Sequence, residues 1–299
     1  MSRTVRAHDR GELGKGLLFL SPWLIGFTIF TAIPIGLSLY FSFCEFTALK
    51  PPTFVGLDNY RDLLNDGVFW KSLSVTGRYA LMALPAGIAV SLGLAILLNQ
   101  PIRSQAIYRT IIFLPSLVPV AASAMIWFWL FNTKLGLINF ALGKIGIEPV
   151  GWLTQPAIAL SALAFMSLWG VGHTVVIYLA GLQDVPKELY EAAEIDGATG
   201  LRRIWSVTIP MISPVIFFNL IIAIIGVFRV MELPYIMTNG GPDRATMFIA
   251  LYVYQNAFMF VRMGYASAMA WMQLILILAL TGLAFWSSKR WVHYQGATR

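Results

Sequence analysis

Six stretches of this 299-residue chain are apolar for long enough to cross a bilayer, at about residues 17–43, 73–98, 110–131, 156–182, 211–236 and 265–287. The hydrocarbon core of a membrane is about 30 Å thick, so a helix rising about 1.5 Å per residue needs roughly 20 apolar residues to span it. In lipid the backbone must satisfy its own polar groups, and a continuous apolar run does so as an α-helix. The pattern predicts an all-α integral membrane protein of about six transmembrane helices. Composition agrees, at 58% hydrophobic and 12% charged residues. A soluble domain runs nearer 45–50% and about 25%, and one water-soluble core of this size cannot hide the excess.

The first run follows Arg3, Arg6, Arg10 and Lys15, a basic start like that of a signal peptide. It is longer than a signal core of about 7–15 residues and shows no clear small-x-small cleavage site, so it reads as a retained first helix. Interior prolines (Pro34, Pro85, Pro115, Pro119 and Pro234) are compatible with membrane helices whose freed backbone groups find other partners. Trp70, Trp129, Trp152, Tyr235 and Trp286 fall near run ends, as interfacial aromatics do. The formal charge of +7 resides mostly in short loops and does not point to nucleic acid. With the N-terminus inside the cell, twelve of the 21 Lys and Arg residues fall on the inner side and seven outside. The remaining two, Arg78 and Arg229, lie within runs, and the bias favours both termini in the cytoplasm. Cys44 is the only cysteine, which excludes an intramolecular disulfide.

One inner segment, 183–208, is polar and too long for a tight turn. Pro186 suits a first helical position, Glu188, Glu191 and Glu194 recur every three residues, and Gly197 suits a helix end. These features predict a short amphipathic helix over 186–199, between the fourth and fifth spans.

That segment carries Glu191-Ala192-Ala193, then Gly197 after three residues, and later Val207, Ile209 and Pro210. It closely resembles the EAA signature of ABC importer permeases, written Glu-Ala-Ala, Gly, then Ile-x-Leu-Pro, with conservative departures at Val207 and Ile209. The run from Glu188 to Ala198 is similar to the carbohydrate branch of that family. Phe54 to Tyr60, Tyr108-Arg109-Thr110 with Leu114-Pro115, Thr238 to Pro242 and Gly264 to Ala268 resemble the same branch in the same order. Together they resemble sugar-type permeases similar to the maltose transporter's larger membrane subunit, in a shorter form without a large external domain.

The resemblance implies a type I ABC importer permease fold. A cytoplasmic tail (1–16) and first transmembrane helix (17–43) precede a permease core (72–288), with the coupling loop at 183–208 and a cytoplasmic C-terminal tail at 289–299. It implies that Glu188, Glu191, Ala192, Ala193, Asp196, Gly197 and Pro210 couple the chain to an ATPase. It implies a substrate pathway past Ser116 and Val120, past Trp169, Gly170 and His173, and past Ala223, Val227 and Val230. The implied partners are a second homologous permease, two ATP-binding cassette subunits, an extracytoplasmic solute-binding protein and the lipid bilayer. ATP and Mg would be bound by the partner ATPases, with no cofactor in this chain.

The residues themselves reach part of that pathway. Arg229 and Glu232 stand three apart in the fifth run, a spacing that permits an ion pair on one helix face. Charge within a span usually faces protein or water. The pair is either structural or part of the pathway. Arg78, near the outer end of its run, can snorkel toward the interface. His173 fits proton transfer or ordinary hydrogen bonding, and Trp169, one turn earlier, fits sugar stacking or core packing. His8, His173 and His293 form no metal-ligand spacing. Gly11 to Gly16 lacks the spacing of a phosphate loop and the hydroxyl after its lysine, and no strand precedes it. The reading is a non-enzymatic permease for a sugar or oligosaccharide. An anionic sugar or glycerol phosphate is the alternative within the same class. A proton-coupled secondary transporter using His173, Arg229 and Glu232 would show inverted repeats, and none is visible. A receptor or scaffold without transport is the third class, but nothing sensory is appended.

Overall fold

A computed structural model describes the backbone of residues 3–47, 49–101 and 103–293, with side chains from residue 15 onward. The side chains of Arg3, Arg6, His8 and Arg10, and the last six residues of the expected C-terminal tail, lie outside the described residues. The chain forms two compact units, one of Met1–Asn65 with Gln255–Trp271, the other of Asp66–Tyr254 with Met272–Arg299.

The first unit opens with α1 (Arg3–Phe27), which passes through a wide π turn (Thr28–Ala32) into α2 (Ile33–Ser42). Pro34 explains the wide turn, because it lacks an N–H and disturbs the ladder just before it. Lys15–Ser42 is apolar enough to span a membrane, and its most apolar stretch is unburied within the chain. A two-strand hairpin follows, β1 (Cys44–Glu45) antiparallel to β2 (Thr53–Phe54), and then α3 (Asp58–Asn65). Asn59 Nδ2 donates to the carbonyls of Ser42 and Cys44, both at 2.9 Å, and Tyr60 Oη donates to Ser42 Oγ at 2.8 Å. Cys44 is fully buried at this helix end. Gly264 also joins this corner: its N–H donates to the Phe46 carbonyl at 3.0 Å, and an added Cβ would stand 2.0 Å from the Cys44 oxygen. Two stretches of the family resemblance, 54–60 and 264–268, thus meet at one turn of chain.

The second unit contains α4 (Gly67–Leu98), α5 (Gln105–Phe113), α6 (Val120–Leu130), α7 (Leu137–Lys144), α8 (Pro156–Ser167) and α9 (Gly172–Gln183). It continues with α10 (Lys187–Ile195), α11 (Gly200–Arg203), α12 (Ile209–Phe228), α13 (Glu232–Met237) and α14 (Ile249–Tyr254). The final helix, α15 (Met263–Ser288), runs through both units' sequence ranges. Asp66 caps α4 by accepting from the Val68 N–H at 2.8 Å, and Tyr252 Oη donates to its other oxygen at 2.6 Å. Thr76 Oγ1 accepts from the Ile249 N–H at 3.0 Å, pinning the start of α14 to α4. Two apolar clusters form the core. One gathers Val75, Tyr79, Ala124, Leu163, Val227 and Phe248, the other Ala95, Val175, Tyr178, Leu182 and Ile212.

Four helices are long and apolar enough to cross a membrane, and two bent pairs bring the total to six among the described residues. The third run is not one straight span. Gln105–Leu117 and Val120–Leu130 meet at 95°. Pro119 forces the preceding Val118 into extended backbone (ψ 129°) and removes a donor, so no helix continues through it. The fourth run bends by 51° between Pro156–Gly170 and Gly172–Gln183, with no proline to cause it. The fifth begins earlier than its apolar run suggests, at Gly200, through α11, a second π turn (Ile204–Thr208) and α12. It also ends earlier, at Phe228 rather than about 236. Pro234 cannot donate to the Val230 carbonyl and its ring crowds that carbonyl, which favours a break here, and α13 starts afresh at Glu232. Gln273 Nε2 donates to the freed Phe228 carbonyl at 2.8 Å.

Candidate functional site

The polar helix α10 is shorter than the expected 186–199. Pro186 stands at its N-cap, and its end is a Schellman motif centred on Gly197, where φ is +76°. The Ala198 N–H donates to the Ala193 carbonyl at 2.9 Å and the Gly197 N–H to Glu194 at 3.0 Å. A residue with a Cβ is strained at that φ, which is why glycine stands there.

Two side-chain ties hold α10 to the base of the next helix. Tyr190 Oη lies 3.2 Å from Thr208 Oγ1, and Glu194 pairs with Arg203 at 3.5 Å. Glu188, Glu191 and Asp196 are exposed and form no ion pair among the described residues. Ala192 is exposed and Ala193 half-buried, so that side of the helix is slim. Ile195 is 88% exposed, Leu201 76% and Trp205 71%. Exposed carboxylates, small residues and bare apolar side chains thus lie along one stretch of chain, 188–205. Pro210 directly follows the π turn inside the continuous Gly200–Phe228 helix, where its missing N–H interrupts the ladder as Pro34 does in the first span.

The two bent spans touch at their breaks. The 3-10 turn Leu114–Leu117 after α5 packs against the turn Leu168–Gly170 before α9. Gly172 makes this approach possible: a Cβ there would meet the Ile112 oxygen at 2.7 Å and the Phe113 Cα at 2.9 Å. Gly172 is a site residue that sequence reading missed, because the requirement arises from a backbone on another helix. Gly172→Ala should cost about 1–3 kcal/mol through overpacking and straighten the bend. Thermal unfolding of the purified complex, with cysteine accessibility at position 173, checks both effects.

Around these breaks the expected pathway residues divide. His173 is exposed and rests against the Phe113 ring, centroids 4.9 Å apart. Trp169 is half-buried and meets Trp127 edge-on at 6.3 Å, with Phe165 against Trp127 at 5.7 Å. Ser116 is half-buried and donates to the Phe113 carbonyl at 2.6 Å, while Val120 and Gly170 are exposed. Those five residues gather at the two breaks. Ala223 and Val230 are half-buried along and after α12. Val227 is a correction: at 6% exposure it belongs to the packed core with Val75 and Phe248. The one-face pairing expected of Arg229 and Glu232 is a second correction. The helix ends between them, both side chains are exposed, and no ion pair joins them among the described residues.

Apolar spans with two broken helices meeting at their breaks, and a polar helix on the following loop, are the arrangement of a membrane permease. The chain belongs to the family of inner membrane components of binding-protein-dependent transport systems, whose family model matches residues 83–293. It is 39% identical to the probable ABC transporter permease protein YesP of Bacillus subtilis, over 98% of this chain and 95% of that protein. It is 32% identical to the sulfoquinovosyl glycerol transport system permease protein SmoG of Agrobacterium fabrum, over 95% and 93%. Its fold matches a chain in the crystal structure of a bacterial alginate ABC transporter in complex with an alginate pentasaccharide-bound periplasmic protein. The TM-score is 0.82 at 25% identity, covering 97% of this chain and 98% of that one. The type I importer permease fold implied by the EAA-like loop is the fold observed.

Proposed function

We propose that this chain conducts a saccharide through a binding-protein-dependent ABC importer, with both termini in the cytoplasm and α10 as the element that receives the ATPase's motion. The carrying observation is the surface of α10. Its carboxylates Glu188, Glu191 and Asp196 stand unpaired among the described residues while Tyr190 and Glu194 tie the helix to the fifth span. A basic-lined groove on an ATP-binding cassette subunit matches those carboxylates, Ala192 and Ala193 let the helix enter it, and Ile195 and Trp205 add apolar contact.

A second, homologous permease completes the pathway, and an extracytoplasmic binding protein delivers the substrate. ATP and Mg belong to the two partner subunits. The pathway passes the adjoining breaks, where Trp169 offers an aromatic face and His173 and Ser116 offer hydrogen-bonding groups. Aromatic faces pack on the apolar faces of sugar rings, and the carbohydrate named for one relative and solved with another supports that class. Arg229 favours an acidic saccharide as a second reading, since it is exposed and forms no ion pair among the described residues.

The test is uptake by the reconstituted complex, supplied with its binding protein and either neutral or acidic oligosaccharides. Trp169→Ala is expected to lower saccharide uptake about tenfold, the scale of one lost stacking contact of about 1.4 kcal/mol, with basal ATP hydrolysis unchanged. Arg229→Gln lowers uptake of acidic substrates alone if the second reading holds. Uptake that follows a proton gradient and needs no ATP would sink the proposal.

A further inference from the structure

We infer that the groove between the first half of α4 and the start of α8 binds an anionic phospholipid. The groove encloses about 580 Å³ and is graded in polarity along α4. Lys71 and Arg78 line it, seven residues apart, which sets them on one face two turns and about 10 Å apart. Beyond Arg78 the wall turns apolar, with Leu81 and Met82 on α4 and Leu160 on α8. Leu81 is 77% exposed, so the described residues leave the apolar end of the groove open.

Neither cation forms an ion pair among the described residues. The contact of Arg78 is a long 3.5 Å donation from Nε to the Ser74 carbonyl in its own helix. A guanidinium inside an apolar span is costly unless a counter-charge or water meets it. Asp243 also lines the groove but lies beyond ion-pair distance of both cations. Two cations and one carboxylate leave a single positive charge, which one phosphodiester neutralises. The apolar end suits an acyl chain: Leu81, Met82 and Leu160 line it, and the proton of its Ser161 hydroxyl is already given to the Ile158 carbonyl at 2.7 Å. An amphiphile with a phosphodiester head matches both ends of the groove at once.

The test uses the full chain in complex with its partner subunits, delipidated in detergent and titrated with phosphatidylglycerol or phosphatidylcholine under native mass spectrometry. The wild-type complex should retain phosphatidylglycerol preferentially. Combining Lys71→Gln with Arg78→Gln should weaken that retention about 30-fold, the effect of two basic contacts at an anionic membrane surface, and leave phosphatidylcholine unchanged. Arg78→Lys, which keeps the charge, should retain most of the binding. Should the double variant fail to assemble, Lys71→Gln alone, at the groove's rim, should lower retention about fivefold. Equal retention of the two lipids, undiminished phosphatidylglycerol in the variants, or displacement of the lipid by inorganic phosphate would overturn the assignment.

Discussion

Glu191→Lys is expected to uncouple this permease from ATP hydrolysis. Glu191 is exposed on α10, beside the slim Ala192 and Ala193, with no ion-pair partner of its own among the described residues. Its carboxylate is available to a partner, and reversing the charge sets like against like across a packed contact. Losing one member of a hydrogen-bonded charge pair at an interface costs about 2 kcal/mol or more, so the ATPase should bind at least about 30-fold more weakly. Co-purification of the ATPase and binding-protein-stimulated ATP hydrolysis are the readouts, and both should fall together. Glu194→Gln is the comparison. It removes only the solvent-exposed tie to Arg203, worth about 0–1 kcal/mol, and should leave assembly nearly intact. Equal effects from the two substitutions would mean that α10 acts through its own stability instead of through a partner.

Gly264→Ala should be the most damaging single methyl in the first unit. Its Cβ would stand 2.0 Å from the Cys44 carbonyl oxygen and 3.1 Å from the Phe46 nitrogen. Both are backbone atoms of a corner already held by Asn59, so neither can swing away as a side chain would. The cost should reach about 3 kcal/mol or more, the upper range for overpacking. The heated complex should then lose its monodisperse size-exclusion peak at a clearly lower temperature. Gly93→Ala offers the contrast. A Cβ there meets nothing within 4 Å, in the second turn from the end of α4, and alanine favours a helix over glycine by up to about 1 kcal/mol. A neutral or raised thermal midpoint is expected.

The elements that sequence conveyed were those governed by neighbours along the chain. Gly197 announced the end of α10 because a helix C-terminus needs a left-handed residue, and the apolar runs announced the spans because lipid permits little else. Pro119 and Pro234 were visible too, yet tolerance of proline in membrane helices hid their consequence, a 95° bend and an early end to α12. The 51° bend between α8 and α9 had no such mark. It depends on Gly172 lying against the Ile112 carbonyl, a fact about two helices that no single stretch encodes. The spacing of Arg229 and Glu232 suggested a shared face only while one helix was assumed to carry both. Val227 was placed by register from a relative, and register does not report which side of a helix a core claims. Lys71, Arg78 and Asp243 come from separate parts of the chain, so their common groove appeared only in three dimensions.

Among the described residues, the hydrogen bond and ion pair that tie α10 to the helix running from Gly200 to Phe228 lie near that helix's start, at Thr208 and Arg203. At about 1.5 Å per residue, its 29 residues make a rod of about 43 Å. A load applied at one end of such a rod appears at the other as displacement, and a tilt of about 10° would carry the far tip about 7 Å. That tip is Phe228, followed at once by Arg229 and the start of α13. Gln273 holds that tip through the Phe228 carbonyl, so a stroke arriving there would load α15 as well as the turn where the chain changes direction.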